Sequence, residues 1–247
     1  MFISSEFLAI NYGVDDQIAR FFVDREPPAD NLYWKGKLLY LRPAPGYLFI
    51  PLIVDLLYKL GIDRQQLLSE KFVATMEQVG HISALEETGQ ISDKEAITKC
   101  AELVKDTCRN NDWFNSLVNY LNYEKSNFFS SLSPSFKALQ RGDMFLFSVC
   151  TLEFRDELQE QISEQWNALI STLLLLDDAE DIEADKETGD ANAFLESGLN
   201  AEGLCKIKKL VSHNLEKISV LNPAMALQLN KQYNEYIEKP GLLSVKK

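Results

Sequence analysis

Basic residues, glycine, proline and histidine are all scarce in this sequence. Its 25 lysines and arginines stand against 37 aspartates and glutamates, which gives a formal net charge of −12. Proteins that bind nucleic acid need a basic face that neutralises phosphates, so this balance argues against a nucleic acid partner. The four cysteines form no CxxC pair, and with only two histidines beside them the spacings of a zinc site are absent.

Long apolar runs are missing as well. No stretch reaches the ~18 uninterrupted apolar residues that a membrane-spanning helix requires. Residues 1–17 carry acidic side chains and no basic segment before an apolar run, which is unlike a secretory signal. We therefore expect a cytoplasmic protein that does not span a membrane.

The low content of helix-breaking residues predicts an all-α protein. There are 11 glycines and 8 prolines in 247 residues, and five of the prolines precede residue 52. Alternating β-branched runs typical of strands are absent. We predict a single domain over residues 1–247, a bundle of eight or nine helices with short connections and an irregular segment, 25–45, packed over it. The predicted helices cover 4–24, 46–60, 63–85, 93–109, 112–130, 134–153, 155–184, 201–219 and 223–238.

Three helix starts have recognisable capping residues. Ser92 precedes Asp93 and Glu95, and Ser133 and Asn222 each precede a proline. Serine and asparagine accept hydrogen bonds from the free N–H groups of a first turn, and proline is well placed there. These residues are therefore predicted N-caps.

The helix predicted from residue 155 carries an apolar stripe that turns acidic. The stripe consists of Leu158, Ile162, Trp166, Leu169, Leu173 and Leu176. Residues four apart lie one turn above one another, so the face of Leu173 continues through Asp177, Asp181 and Asp185. Three ionised carboxylates at the end of a buried face repel one another unless cations neutralise them. Magnesium fits this pattern, because it takes oxygen ligands and bridges one or two carboxylates to substrate phosphates.

Two interpretations of this acidic segment stay open. Residues 177–190 contain eight acidic side chains and a single lysine. They form either a cation site or a solvated helix end that docks on a basic protein partner. A calcium-binding EF-hand starting at Asp181 is excluded, since Lys186 stands where that loop needs glycine.

Residues 176–194, LDDAEDIEADKETGDANAF, resemble the second metal-binding motif of class I isoprenoid synthases. These include the trans-prenyl diphosphate synthases and the class I terpene synthases. Asp177-Asp178-Ala179-Glu180-Asp181 matches the DDxxD pattern of prenyl diphosphate synthases. The ladder Asp177, Asp181 and Asp185 is similar to the asparagine, serine and glutamate triad of terpene synthases. The resemblance implies that Asp177, Asp178, Asp181 and Asp185 bind Mg²⁺ and, through it, a substrate diphosphate.

Upstream segments resemble other parts of the same family. Residues 35–43, KGKLLYLRP, are similar to the GGKRLRP segment, so Lys35, Lys37 and Arg42 are candidate diphosphate-binding cations. Glu86 and Glu87 stand where the first aspartate-rich motif is expected and are candidate metal ligands. In terpene synthases a basic residue before the second motif senses the diphosphate, and Arg141 is the candidate for that role.

The family resemblance implies a reaction. A Mg²⁺-dependent enzyme of isoprenoid biosynthesis would ionise an allylic prenyl diphosphate for prenyl transfer or terpene cyclisation, with Asp177, Asp181 and Arg141 as catalytic residues. A homodimer is common for this fold. Two alternatives remain: a non-catalytic prenyl-synthase-like subunit or lipid-binding bundle, and an acidic helical protein-interaction module.

Overall fold

The computed structural model describes residues 3–41, 45–124, 126, 129 and 136–237. Within these ranges the chain forms twelve α-helices and no strand, which confirms the all-α class and gives more helices than the eight or nine expected. The helices are α1 Ser5–Tyr12, α2 Asp16–Asp24, α3 Pro45–Lys59, α4 Arg64–Leu67, α5 Glu70–Glu87, α6 Asp93–Lys105, α7 Asn111–Leu121, α8 Leu146–Val149, α9 Gln159–Thr188, α10 Ala193–Glu196, α11 Ala201–Leu221 and α12 Pro223–Ile237.

Two of the predicted helices are each broken into two. The break between α1 and α2 lies at Gly13, which has a φ of 61° and ends α1 in the left-handed conformation. The Asp15 carboxylate then accepts the N–H groups of the first turn of α2. Likewise, Ser69 caps α5 and separates it from the single turn α4. Local capping therefore divides two segments whose apolar pattern each predicts one continuous helix.

Of the predicted helix 134–153, the described residues form an α-helix only at Leu146–Val149. Residues 136–145 form two 3₁₀ turns, Lys137–Gln140 and Asp143–Phe145, before the four-residue helix α8. Gly142, at a φ of 100°, interrupts the helical path between the two turns. The Glu196 carboxylate accepts the N–H groups of Lys137 and Ala138 at 2.7 and 2.9 Å and fixes the first turn from another part of the chain.

Other predicted boundaries shift as well, and the helix predicted at 112–130 is wrong at its end, since α7 stops at Leu121 and residues 122–124 are not helical. The helix predicted at 93–109 ends at Lys105, and α9 begins at Gln159 and continues to Thr188. Ser92 caps α6 with a reciprocal capping box, and the Asn222 side chain accepts a hydrogen bond from the Met225 N–H, as predicted. The predicted cap Ser133 lies outside the described residues.

Helix α9 is the central element of the bundle. It packs against α3, α11 and α12, and the buried apolar side chains of the described helices form one contiguous core. The predicted stripe on α9 is buried over its whole length, from Leu158 to Leu176. In the part of the chain that is described, no helix is long and apolar enough to cross a membrane.

Residues 25–41, the described part of the segment between α2 and α3, pack over the bundle as expected. Trp34 is fully buried, and its Nε1 donates a 3.0 Å hydrogen bond to the carbonyl of Tyr40. The buried Asn31 side chain donates to the carbonyl of Glu77 on α5 at 2.7 Å. The Leu32 N–H donates to Nδ1 of His81 at 3.1 Å. These contacts hold the segment against α5.

Candidate functional site

A cavity of about 880 Å³ opens between α5, α7, α9 and the segment 136–145. Its interior is mainly apolar and includes four aromatic rings from separate parts of the chain, Tyr33, Phe49, Phe145 and Trp166. Charged side chains line it as well. They are Lys35, Glu86, Glu87, Asp93, Lys137, Arg141, Asp177 and Asp190. We call this charged part the mouth and the apolar part the interior.

Three candidate ligands from two distant segments line the mouth. Glu86 and Glu87 lie in the last turn of α5, and Asp177 lies on α9 where the buried stripe ends. Partial desolvation raises the pKa of each of these carboxyls, although Glu86 and Asp177 are only half-buried and Glu87 is exposed at the edge of the mouth. Neighbouring acids add to the rise in the pKa of Asp177, because Asp181 and Asp185 repel its charge, while Arg141 opposes it. The mouth therefore concentrates carboxylates whose charge is incompletely compensated.

Asp178 occupies a different environment from its neighbour Asp177. Its side chain is 1% exposed, and it forms an ion pair with Arg141 through Oδ1. Its Oδ2 accepts the N–H of Ala193 at 2.7 Å. Both carboxylate oxygens are thus engaged by the protein. In this structure Asp178 ties α9 to Arg141 and to the start of α10.

The other two acids of the ladder diverge from Asp177. Asp181 is exposed to solvent, and Asp185 is half-buried. The Asp185 carboxylate accepts a 2.8 Å hydrogen bond from Nδ2 of Asn192, which also donates to the carbonyl of Asp178. Asp177 is therefore the member of the ladder that lines the cavity. The three carboxylates predicted to share one continuous face lie in three different environments.

The donor set fits a magnesium ion shared with a substrate better than a preformed metal site. Among the described residues, no group of three or more histidine, cysteine, aspartate or glutamate side chains is close enough to hold a metal by itself. Magnesium bound with phosphate substrates commonly takes only one or two protein carboxylates and completes its shell with waters and phosphate oxygens. Asp177 and the Glu86–Glu87 pair provide oxygen ligands of that kind on two sides of the mouth.

Arg141 is held in place at the mouth by two contacts. Besides its ion pair with Asp178, its Nη1 donates a 2.6 Å hydrogen bond to the carbonyl of Ala191. Its side chain remains 35% exposed. A guanidinium has five N–H donors, so donors remain for an anion in the cavity.

The predicted cations upstream are only partly brought to the cavity. Lys35 lines it, on a backbone with a φ of 51°, and Lys37 is half-buried on the same segment. Arg42 lies outside the described residues. Lys137, for which the sequence predicts no role, also lines the cavity, on the 3₁₀ turn that precedes Arg141.

Two polar groups in the interior were also missed. The Ser83 hydroxyl is buried one turn below Glu87 and has no hydrogen-bond partner among the described residues. Asp143 is 7% exposed and lies directly behind the cavity wall, where its carboxylate accepts hydrogen bonds from Trp166 and Tyr120. Nothing in their local sequence marks either residue, since the burial of Ser83 and the hydrogen-bond partners of Asp143 depend on the packing of other segments.

Comparison with models of protein families, with curated proteins and with solved structures finds no match to this chain.

Proposed function

We propose that this protein is a Mg²⁺-dependent class I isoprenoid synthase-like protein that binds an allylic prenyl diphosphate and ionises it for prenyl transfer or cyclisation. One observation carries the proposal: a single cavity joins a charged mouth to an apolar, aromatic interior. A prenyl diphosphate has the same two parts, a highly charged head and an apolar chain.

The mouth would receive the diphosphate. Asp177 on one side and Glu86 with Glu87 on the other would hold Mg²⁺, which when bound neutralises the charge that develops on the departing oxygens. Arg141 and Lys35 supply additional positive charge from the protein itself. The ion pair with Asp178 fixes the position of Arg141 before the ligand arrives, so little side-chain ordering is required on binding.

The interior would receive the prenyl chain. Aromatic and aliphatic side chains exclude water there, and ring faces stabilise a cation. In the proposed step the bond between the allylic carbon and oxygen breaks, the electron pair leaves with the diphosphate, and the carbon chain becomes an allylic cation. That cation then couples to a second isoprenoid, cyclises or is captured by water, and in each case the resulting cation loses a proton to the departing diphosphate or to water.

A second candidate, a non-catalytic lipid-binding bundle of similar architecture, is favoured by one specific observation. Glu86 and Glu87 stand in place of paired aspartates, and the acids described above do not cluster into a protein-only metal site. A protein of this kind would bind a prenyl chain in the interior without turning it over.

The test is a thermal-melt titration with Mg²⁺ and dimethylallyl, geranyl, farnesyl and geranylgeranyl diphosphates. A ligand that binds the folded state raises the melting temperature by mass action. We expect one chain length to stabilise the protein only with Mg²⁺, and Asp177→Asn to remove most of that shift. Glu183→Gln, which makes the same charge change at an exposed position of α9, is the matched control and should behave as wild type.

Release of diphosphate distinguishes the two candidates. Turnover that depends on Asp177 and Glu87 supports the enzyme. Binding of prenyl alcohols and diphosphates alike, without Mg²⁺ dependence or product, supports the lipid-binding bundle. No shift with any of these ligands, from a protein that melts cooperatively, would overturn the proposed function.

A further inference from the structure

Two cysteines from different segments meet outside the cavity. Cys108 lies in the connection between α6 and α7, and Cys150 directly follows α8. The Arg109 N–H donates a 2.8 Å hydrogen bond to the Cys150 carbonyl. Next to it, Nδ2 of Asn110 donates to the carbonyl of Leu152 at 2.7 Å. These two bonds hold the segments side by side, and the Cys108 sulfur accepts a hydrogen bond from the Cys150 thiol.

The two thiols differ in exposure and in protonation. Cys108 is half-buried, whereas Cys150 is fully buried. Hydrogen bonds from the Cys150 thiol and from the Asn110 N–H lower the pKa of Cys108 to about 6, although partial burial opposes them. Burial raises the pKa of Cys150, and its bond with Cys108 adds to that rise. The Cys150 thiol also has the Leu146 carbonyl as an acceptor at 3.7 Å. At neutral pH the pair therefore consists of an accessible thiolate and a buried, protonated thiol.

We propose that Cys108 and Cys150 form an oxidation site, at which hydrogen peroxide converts the two thiols into a disulfide. The thiolate is the form of cysteine that attacks a peroxide, so the first reaction belongs to Cys108. An oxidised cysteine closes a disulfide when a second thiol lies within reach, and Cys150 already contacts the Cys108 sulfur.

The reaction has two steps. In the first, the Cys108 thiolate attacks one oxygen of the peroxide, so that an S–O bond forms and the O–O bond breaks. The departing hydroxide takes up a proton, the peroxide is reduced, and the sulfur is oxidised by two electrons to a sulfenic acid. In the second step the Cys150 sulfur attacks the Cys108 sulfur. The S–S bond forms, the S–O bond breaks, and the hydroxide leaves with the Cys150 proton as water.

The other two cysteines each lack one requirement. Cys100 is fully buried, and burial raises its pKa to about 12. Cys205 is exposed on α11, which contains no second cysteine. Neither Cys108 nor Cys150 lines the cavity, so the inference goes beyond the proposed function and does not depend on Mg²⁺ or on a diphosphate.

The experiment treats the reduced full chain with one equivalent of hydrogen peroxide at pH 7 and maps its peptides by mass spectrometry without reduction. We expect the four free thiols to fall to two, with Cys108 joined to Cys150 and both thiols restored by dithiothreitol. Cys108 should be oxidised about tenfold faster than the exposed thiol of Cys205, because its thiolate is stabilised by hydrogen bonds.

Three variants separate the roles of the two sulfurs. In Cys150→Ala the reaction should stop at the sulfenic acid of Cys108, which dimedone traps. In Cys108→Ser, Cys150 should remain reduced. The matched control Cys205→Ser removes an exposed thiol and should form the disulfide at the wild-type rate.

The wild-type comparison of Cys108 with Cys205 needs no substitution, so it decides the outcome even where a variant fails to fold. The proposal is overturned if wild type forms no disulfide between Cys108 and Cys150, or if Cys205 is oxidised first. Oxidation of Cys150 at the wild-type rate in Cys108→Ser overturns it as well.

Discussion

The indole of Trp166 and the carboxylate of Asp143 are joined by a 2.7 Å hydrogen bond although they come from segments separated by helix α8 and a 3₁₀ turn. Burial raises the pKa of Asp143 to about 6, and it also raises the pKa of Asp178 to about 6. Asp143 belongs to the segment 136–145 and Asp178 is paired with Arg141 of that segment, and the two carboxyls titrate in the same range.

A pH dependence of stability follows from these two carboxyls. Their folded-state pKa values exceed the ordinary values, so the folded protein binds more protons than the unfolded chain between about pH 4 and 6. Their contribution to stability is fully present at low pH and is lost as the pH rises through about 6. We expect the free energy of unfolding at pH 8 to be lower than that at pH 5.5 by roughly 1 kcal/mol per carboxyl. Urea melts at the two pH values measure this difference, and it should shrink in Asp143→Asn.

The second and the last aspartate of the DDxxD segment, Asp178 and Asp181, should respond differently to substitution. Asp178→Ala leaves Arg141 without its ion-pair partner and the N–H of Ala193 without its acceptor. We expect this variant to lose about 2 kcal/mol of stability, which is less than for a fully buried ion pair because Arg141 is partly exposed. Asp181→Ala changes an exposed side chain and should alter the melting temperature little. Thermal melts of both variants check this, and similar effects at the two positions would contradict the described geometry.

Ser83→Ala should separate stability from ligand binding. The Ser83 hydroxyl is buried without a partner among the described residues, so its removal relieves a desolvation cost and should raise stability by up to about 1 kcal/mol. If a ligand oxygen pairs with the hydroxyl, the same variant loses affinity in the prenyl diphosphate titration. Ser83→Thr retains the donor and serves as the control. A less stable Ser83→Ala protein would show that the hydroxyl has a partner after all.

The environment of the Cys108 thiol, beside Cys150, favours its thiolate form. A hydrogen bond from Cys150 lowers the pKa of Cys108 to about 6, and the Arg109 N–H donates to the Cys150 carbonyl at 2.8 Å beside it. Alkylation of half-buried Cys108 by iodoacetamide should therefore rise through a midpoint near pH 6. In Cys150→Ala the midpoint should move toward the ordinary value of about 8.5. A midpoint that is the same in both proteins would show that Cys150 does not stabilise the thiolate.

Features set by local periodicity were predictable from the sequence. The buried stripe of α9, the all-α class and the capping box at Ser92 each depend on residues within a few positions of one another. The presence of Asp177 at the end of that stripe also followed, because the helical repeat alone places it on the face of Leu173. The assignment of this face to a diphosphate site remains a prediction.

Features set by distant partners were not predictable. The run of residues 134–153 has an acceptable helical composition, but Gly142 and the capping of Lys137 by Glu196 produce 3₁₀ turns instead. The same holds for Asp143, whose hydrogen-bond partners lie on α7 and α9. The motif predicts that Asp178 is a metal ligand. Its two actual partners are identified only from the folded structure.

The link between Arg141 and Asp178 also constrains how this chain can diverge. A substitution of Arg141 leaves an acid buried without its charge partner, so a tolerated change there requires a second change at Asp178. Homologues should therefore change the two positions together, whether or not they retain Asp177. In a sequence alignment, the residue at the second aspartate of the motif would then vary together with the residue at position 141. It would not vary with the presence or absence of an active metal site.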